Sequence, residues 1–558
     1  MSFHFSGACC AVALLLVSPT FAQQADRFQA HLAAGEFGLA RAIAAGIQDP
    51  GERDRHLADI AAAQSRQGAR SGSLETAYDI AGTRTRTDAL RGMQQMPLGG
   101  GVQPDFDSLI QLITSTIAPP SWSEVGGPGS VEEFQGGVRV DSEGLLKKAE
   151  LKSSAALADV RKSAAKASAN RDPRRSSPLR RVSLTRLEKE LQIAAAAGMP
   201  LDDVARNFAG LQRVKYVFVF PETNEIVVAG PAGDWRLNEE GRAVAVENNR
   251  PVVQLDDFVV TFRNAFDGGG RFGCSITPTK DGLAAAKSTI EKWAAKPLKP
   301  GQRDKWLDDI RSSLGKQDIE VYGIDPRTRA ALVLVEADYR MKQVGLGLEP
   351  SVAGVTTYFE ALDPAQPAKM DVLRWWFTLN HKQIKTTPVE DAFELRGPGV
   401  KILSENELLT KEGERVHTGQ ANDATKRFAD TFTEHFERIA AKYPIYAELR
   451  NVLDLAVVSA LLKQHDLPER VGWQPGYFAA EGGYVSPLGE APQQVDSIVA
   501  HKELPGKKIV AGISGGVRCD PAAIVAPDAI EKDSYGLLKA ERGGGPPRDL
   551  PRHAWWWD

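Results

Sequence analysis

The chain has 558 residues, 42% of them hydrophobic and 25% charged, with a formal net charge of −4 and a pI near 6.2. This ordinary globular composition excludes a collagen-like, wholly coiled-coil or wholly disordered chain. At about 150 residues per domain the length allows three or four units. The slightly acidic balance does not describe a general binder of nucleic acid or membrane surfaces.

Residues 1–22 read as an export signal. Ala8–Val17 is a run of ten apolar residues, Pro19 breaks it, and Thr20-Phe21-Ala22 puts small residues at −3 and −1 of a cut between Ala22 and Gln23. The stretch before the run carries His4 but no Lys or Arg. Ten residues span about 15 Å of helix, half a bilayer core. No other stretch approaches eighteen apolar residues. The mature chain is therefore expected in the periplasm or outside the cell, without a transmembrane segment. Export leaves two cysteines, Cys274 and Cys519, which read either as a disulfide or as two buried thiols. A bridge would close a loop of about 245 residues, for which chain entropy gives at most about 5 kcal/mol.

Residues 23–95 read as an Ala-rich helical array. Gly35–Ala44 can be laid on Gly72–Ala81 at an offset of 37 residues, and Arg-bearing helical turns follow at Arg53–Ile60 and Arg84–Met93. The pattern resembles helix-hairpin repeats of the tetratricopeptide kind, with a period of about 34. It suits either a partner-binding array or a small packed cap. A Gly-rich linker follows, then a helix–turn–strand module at 105–146, in which Leu109, Ile110, Ile113 and Ile117 share one helical face. Residues 147–178 read as a basic flexible linker, since Lys147–Glu190 holds thirteen Lys or Arg against five Asp or Glu. That stretch is either a solvated tether or an arm for an anionic surface, such as lipid headgroups, acidic glycans or an acidic partner.

The body is expected over 179–520 with an irregular tail at 521–558, making the whole an α+β multidomain chain. A helix at Val182–Ala197 ends on Gly198, and Lys215–Phe220 pairs with Glu225–Ala229 as a hairpin. Val252–Leu255 and Phe258–Phe262 read as strand material, and Asp281–Trp293 and Asp304–Leu314 as helices. Ile319–Gly323 and Ala330–Glu336 read as a second hairpin across Asp325–Thr328. Four runs between Arg374 and Leu403 read as one antiparallel meander. Ala421–Tyr443 and Ile445–Lys463, parted by Pro444, read as an αα-hairpin.

Several phrases of the body carry a resemblance. They include Arg181–Leu187, Gly210–Glu222, Val227–Trp235, Cys274–Thr279, Asp338–Lys342 and Arg374–Phe377. Together they resemble, over roughly 179–516, an uncharacterised planctomycete-type family of secreted bacterial proteins (domain of unknown function 1598). The resemblance implies secretion and a domain boundary, and it brings no activity or site residue.

Chemistry is sparse in the motifs. None of the nine histidines lies in an H-E-x-x-H pattern, and Glu434-His435 is a reversed fragment. His381, His417, His435, His465 and His501 stand isolated. No phosphate or dinucleotide loop opens a helix, so neither a metal nor a cofactor is expected. Gly512-Ile513-Ser514-Gly515-Gly516 fits G-x-S-x-G after a strand, but no helix pattern follows it and the acid and His553 must come from the last 44 residues. Ser514 is thus a nucleophile or part of a glycine turn. Cys274 could act with His381 or His417, and Trp235, Trp375 and Trp376 are either a ligand platform or core. The expected function is a non-enzymatic interaction or scaffold protein with a protein partner in the cell envelope. The alternatives are a hydrolase with an unrecognised site and a glycan or small-ligand binder.

Overall fold

The fold is that of a computed structural model, which describes residues 21–95, 130–134, 137–141, 172–294, 301–363, 370–381, 383–410, 415–479, 483–504 and 507–558. The apolar run of the expected export signal, the helix expected at 109–117 and most of the expected basic linker lie outside the described residues. The chain divides into two compact units, 1–152 and 153–558.

The first unit holds α1 (Phe21–Ala33), α2 (Phe37–Ala45), α3 (Pro50–Arg66), α4 (Arg70–Asp79) and α5 (Thr83–Gln95), then a hairpin of β1 (Ser130–Phe134) and β2 (Gly137–Asp141). The Ala22–Gln23 junction lies in the first turn of α1. Asp49 caps α3 by accepting from the Glu52 amide, with Pro50 at the first helical position. Phe28, Ala40, Ala44, Leu57, Ile60 and Ile80 form the core, where alanines let neighbouring helices approach closely. Buried Asp54 accepts from the amides of Ala81 and Gly82 at 3.0 and 2.6 Å, tying α3 to the α4–α5 turn.

The second unit opens with β3 (Ser177–Ser183), α6 (Leu184–Ala196), β4 (Tyr216–Phe220), β5 (Glu225–Ala232), β6 (Trp235–Leu237), β7 (Ala243–Ala245) and α7 (Leu255–Asp267). Next come β8 (Phe272–Pro278), α8 (Lys280–Ala294), α9 (Arg303–Leu314), β9 (Lys316–Tyr322) and α10 (Arg329–Gly345). Then follow β10 (Met370–Asn380), β11 (Gln383–Thr386), β12 (Ala392–Arg396), β13 (Gly399–Leu409) and β14 (Arg415–His417). Three helices, α11 (Asp423–Glu434), α12 (Phe436–Lys442) and α13 (Pro444–Gln464), precede β15 (Gln494–Asp496), β16 (Val499–Leu504) and β17 (Lys507–Cys519). The chain closes with β18 (Ile530–Lys532), α14 (Leu537–Arg542) and β19 (Trp556–Trp557). The protein is α+β.

Two large sheets organise this unit. One runs β14-β13-β10-β17-β8-β9-β15 with β16 also on β17, and the other runs β18-β11-β12-β4-β5-β3-β19. The expected meander is therefore divided: β10 and β13 belong to the first sheet, β11 and β12 to the second. Period-2 patterning marks strands but carries no information on which sheet receives them. On the inner face of β10, Trp375 packs against Phe428 with ring centroids 4.2 Å apart, and Phe377 lies against Phe432 and Tyr446. Gly345, at the end of α10, makes room for the Trp375 ring, from which a Cβ there would stand 2.2 Å.

Two segments expected as strands are helices. Leu255, Phe258, Val259 and Phe262 are all buried on α7, at spacings of three and four, and Asp256 and Asp257 sit in its first turn. That helical stripe outweighs the strand preference of valine and phenylalanine. Asp325–Thr328 is a helix start and not a hairpin turn: Thr328 caps α10 by accepting from the Ala331 amide. The long helix expected at 421–443 breaks at His435 into α11 and α12. The tail expected to be irregular supplies β18 to β11 and β19 to β3. Arg180, at the edge of the expected linker, is fully buried beneath the Trp556 ring (4.6 Å) and pairs with Asp558 at 2.9 Å.

Candidate functional site

Strand alternation on β10 turns Arg374 and Trp376 away from the helices that cover Trp375. Register assembles the rest of that face. Arg374 stands opposite Glu405 of β13 and Ser514 of β17, and Thr378 stands opposite Arg518. Glu407 stands opposite His417, and Leu409 opposite Arg415, on β14. Three arginines, two glutamates, a histidine and a tryptophan thus share one side of the sheet.

The two carboxylates are held from within. Glu405 accepts from the Gly419 amide at 2.7 Å, and Glu407 accepts from Arg415 at 3.1 Å and from the Ser514 hydroxyl at 3.2 Å. Nδ1 of His417 lies 3.4 Å from Glu405 and 3.2 Å from Glu407. The Arg374 Nη1 sits 3.1 and 3.3 Å from the two imidazole nitrogens. Arg374 and Arg518 approach the Trp376 ring at 5.4 and 5.1 Å. Partial burial lowers the Arg374 pKa, and the neighbouring Arg518 lowers it further.

Glu405, Glu407 and His417 bring three donor atoms within 4.8 Å of one another, the spacing of a metal clasp. The surroundings do not fit a cation. Arg374 lies against both nitrogens of the imidazole, and Arg415 and Arg374 already face the Glu407 carboxylate. A divalent ion would meet two guanidinium charges at contact distance. The face is organised around cations that belong to the protein.

Ser514 is no nucleophile in this arrangement. It is buried, mid-strand, and bonded to the Leu373 carbonyl and to Glu407, so glutamate and not imidazole is its neighbour. His553 pairs with Glu190 on α6. The G-x-S-x-G stretch is also no turn, since β17 runs on through it. Its glycines reflect close approach: a Cβ on Gly515 would lie 2.3 Å from the Trp375 carbonyl and 2.6 Å from Asp338.

Both thiols are free and buried. Cys274 stands opposite Val517, and Cys519 lies two residues further along, so the pair is diagonal. Diagonal partners are about 7–8 Å apart, beyond the usual 4.4–6.8 Å of a disulfide. Burial pushes both thiols up in pKa, so neither serves as a nucleophile. Alkylation of unreduced protein should label both cysteines after denaturation and neither before it. A denatured chain that resists alkylation until reduced would contradict this.

The remaining expected residues separate. Trp235 and Trp375 are core, leaving only Trp376 on the open face. His381 is not isolated: its Nε2 lies 2.7 Å from Asp454, whose other oxygen takes the Arg213 Nε at 2.7 Å. His465 bonds the Val525 carbonyl, and His501 packs edge-on to Trp306. The open-face cluster was missed because its members are scattered from 374 to 518. Its signal was the i,i+2 repetition of charge in Glu405-Asn406-Glu407 and Arg415-Val416-His417.

Residues 274–358 match the family model described as Protein of unknown function (DUF1598). No curated protein and no solved structure matches the chain. The DUF1598 domain is narrower than the expected 179–516. Cys274–Thr279 and Asp338–Lys342 fall within it, and the other quoted phrases fall outside. It runs from β8 through α10 and lays α10 beneath the sheet, where Lys342 pairs with Asp338 at 2.7 Å and donates to the Ile276 carbonyl at 3.2 Å. Both side chains are fully buried. The DUF1598 domain thus supports β17 from below, while the exposed cluster is built by strands outside it.

Proposed function

We propose that this is an exported, non-enzymatic binding protein of the cell envelope that holds its partner on the open face of the eight-stranded sheet. The observation that carries the reading is Arg518. It is exposed beside Arg374 and, among the described residues, makes no ion pair, whereas the nearby carboxylates are bound to internal groups. The N-terminal helices would add a second contact surface of the repeat kind. No helix among the described residues is long and apolar enough to cross a membrane.

Native protein should begin at Gln23 or within about two residues of it. An intact Met1 on cytosolic protein would remove the export part. Envelope material cross-linked to the mature chain should be lost in the charge-reversed Arg518→Glu variant, with the fold unchanged. Turnover of generic ester or peptide substrates that disappears in Ser514→Ala would favour a hydrolase instead.

A further inference from the structure

We propose that the joint of α7, α10 and α13 is a proton-operated clasp, which takes up one proton at the Asp257 carboxylate in mild acid and holds more firmly when it does.

Three helices bring charge to one buried place. Asp257 lies in the first turn of α7, Arg329 opens α10 behind its Thr328 cap, and Glu448 lies near the start of α13. Arg329 spans the two acids, giving Nη1 to Asp257 and Nη2 to Glu448. Arg242, from β7, donates to the other Glu448 oxygen and also to Glu336 and Glu240. Arg340 lies 3.7 Å from Glu240 and binds Glu349 at 3.0 Å. Neighbouring Asp256 accepts from the Tyr484 hydroxyl at 2.8 Å. The group thus sets six carboxylates around three arginines. Other charges on α7 and the elements packed against it are engaged elsewhere. Arg206, on the short helix Asp203–Arg206, acts on Tyr484, and Asp203 accepts from Trp235. Arg263 donates to the Phe478 and Tyr484 carbonyls, Asp325 pairs with Arg327, and Lys463 binds carbonyls at the far end of α7.

This arrangement singles out Asp257. Both Glu448 oxygens meet a guanidinium. Asp257, among the described residues, meets Arg329 alone, and its Oδ1 is buried without a hydrogen-bond partner. The first turn of α7 and Arg329 favour the charged carboxylate, while complete burial, Glu448 and Asp256 oppose it. Burial is the largest of these effects, and the carboxyl is pushed up to about 6. A proton there removes the repulsion between two carboxylates that share one guanidinium, and leaves Arg329 to neutralise Glu448.

The sign follows from the direction of the shift. A carboxyl raised above its unfolded value of about 4 contributes stability that is complete below that pH. The contribution is lost as pH rises through about 6. Loosening should begin at the first turns of α7 and α10, to which Asp257 and Arg329 belong.

The test is hydrogen exchange and urea unfolding of the full chain between pH 4.5 and 7.5. In the wild type, protection of the first turns of α7 and α10, corrected for the intrinsic pH dependence of exchange, should fall relative to α11 as pH rises through about 6. The ratio of unfolding constants, wild type over Asp257→Asn, should rise at least tenfold from pH 4.5 to 7.5, because the amide does not titrate. Asp256→Asn should retain the wild-type pH dependence. Protection of the two first turns that does not respond to pH would overturn the proposal, as would an Asp257→Asn variant with the wild-type pH profile. Should Asp257→Asn fail to fold, exchange in the wild type decides alone.

Discussion

Replacing Asp454 with alanine should cost the C-terminal unit about 3–5 kcal/mol, because it strands two buried cationic or hydrogen-bonding partners at once. Asp454 is fully buried on α13 and holds Arg213, from the lead-in to β4, and His381, from the turn between β10 and β11. Arg213 also donates to the Gly397 carbonyl at 3.1 Å. Gly399, at φ +84°, lets the backbone pass beside the group, where a Cβ would stand 3.1 Å from Asp454 and 2.9 Å from Arg450. One carboxylate therefore joins both sheets to the central helix. Burial pushes its pKa up, but Arg213 and His381 more than offset that and hold it down at about 2. A depressed carboxylate gives stability that is present above its unfolded pKa near 4 and lost as pH falls towards 2. Urea unfolding should show that acid limb in the wild type and a shallower one in Asp454→Ala. A loss below about 1 kcal/mol at pH 7 would show that the joint is not structural.

Lys342→Met should be comparably costly, about 3–5 kcal/mol at pH 8, since it leaves Asp338 buried without its cation. Burial raises the Asp338 carboxyl even in the wild type, with Lys342 opposing it, and burial likewise lowers the Lys342 ammonium. In the variant the carboxyl pKa should climb further. A raised carboxylate binds its proton more readily in the folded state, so the deficit should narrow as pH falls from 8 towards 4. Asp338→Leu combined with Lys342→Met should recover most of the loss, because an apolar pair has nothing to desolvate. A double variant as unstable as the single one would show that the penalty is packing and not charge.

The sequence made visible those features whose signal is local. The β4–β5 hairpin was legible from two β-rich runs around Pro221–Asn224, and α6 from Gly198, which adopts φ +73° just past its end. The α7 helix was not legible as one because its residues favour strands individually, and only their spacing shows a buried stripe. The division of β10–β13 between two sheets depends on strands more than a hundred residues away, so no local pattern could report it. The open-face site has the same character. Arg374, Glu405, His417 and Arg518 become neighbours only through register, and no single motif joins them.

The place of β17 in its sheet sets a timetable for folding. It is bonded to β10 on one side and to β16 and β8 on the other, so the sheet stays in separate pieces until residues 507–519 arrive. The second sheet waits longer still, because β19 completes it and Asp558 reaches back 378 positions to Arg180. A ribosome would make residues 1–506 before the first sheet could close, and residues 1–555 before the second could. Such distant pairings come late and slowly, leaving open strand edges exposed in the interim. Until β17 and β19 have been made, the strands that await them keep unpaired edges that invite aggregation.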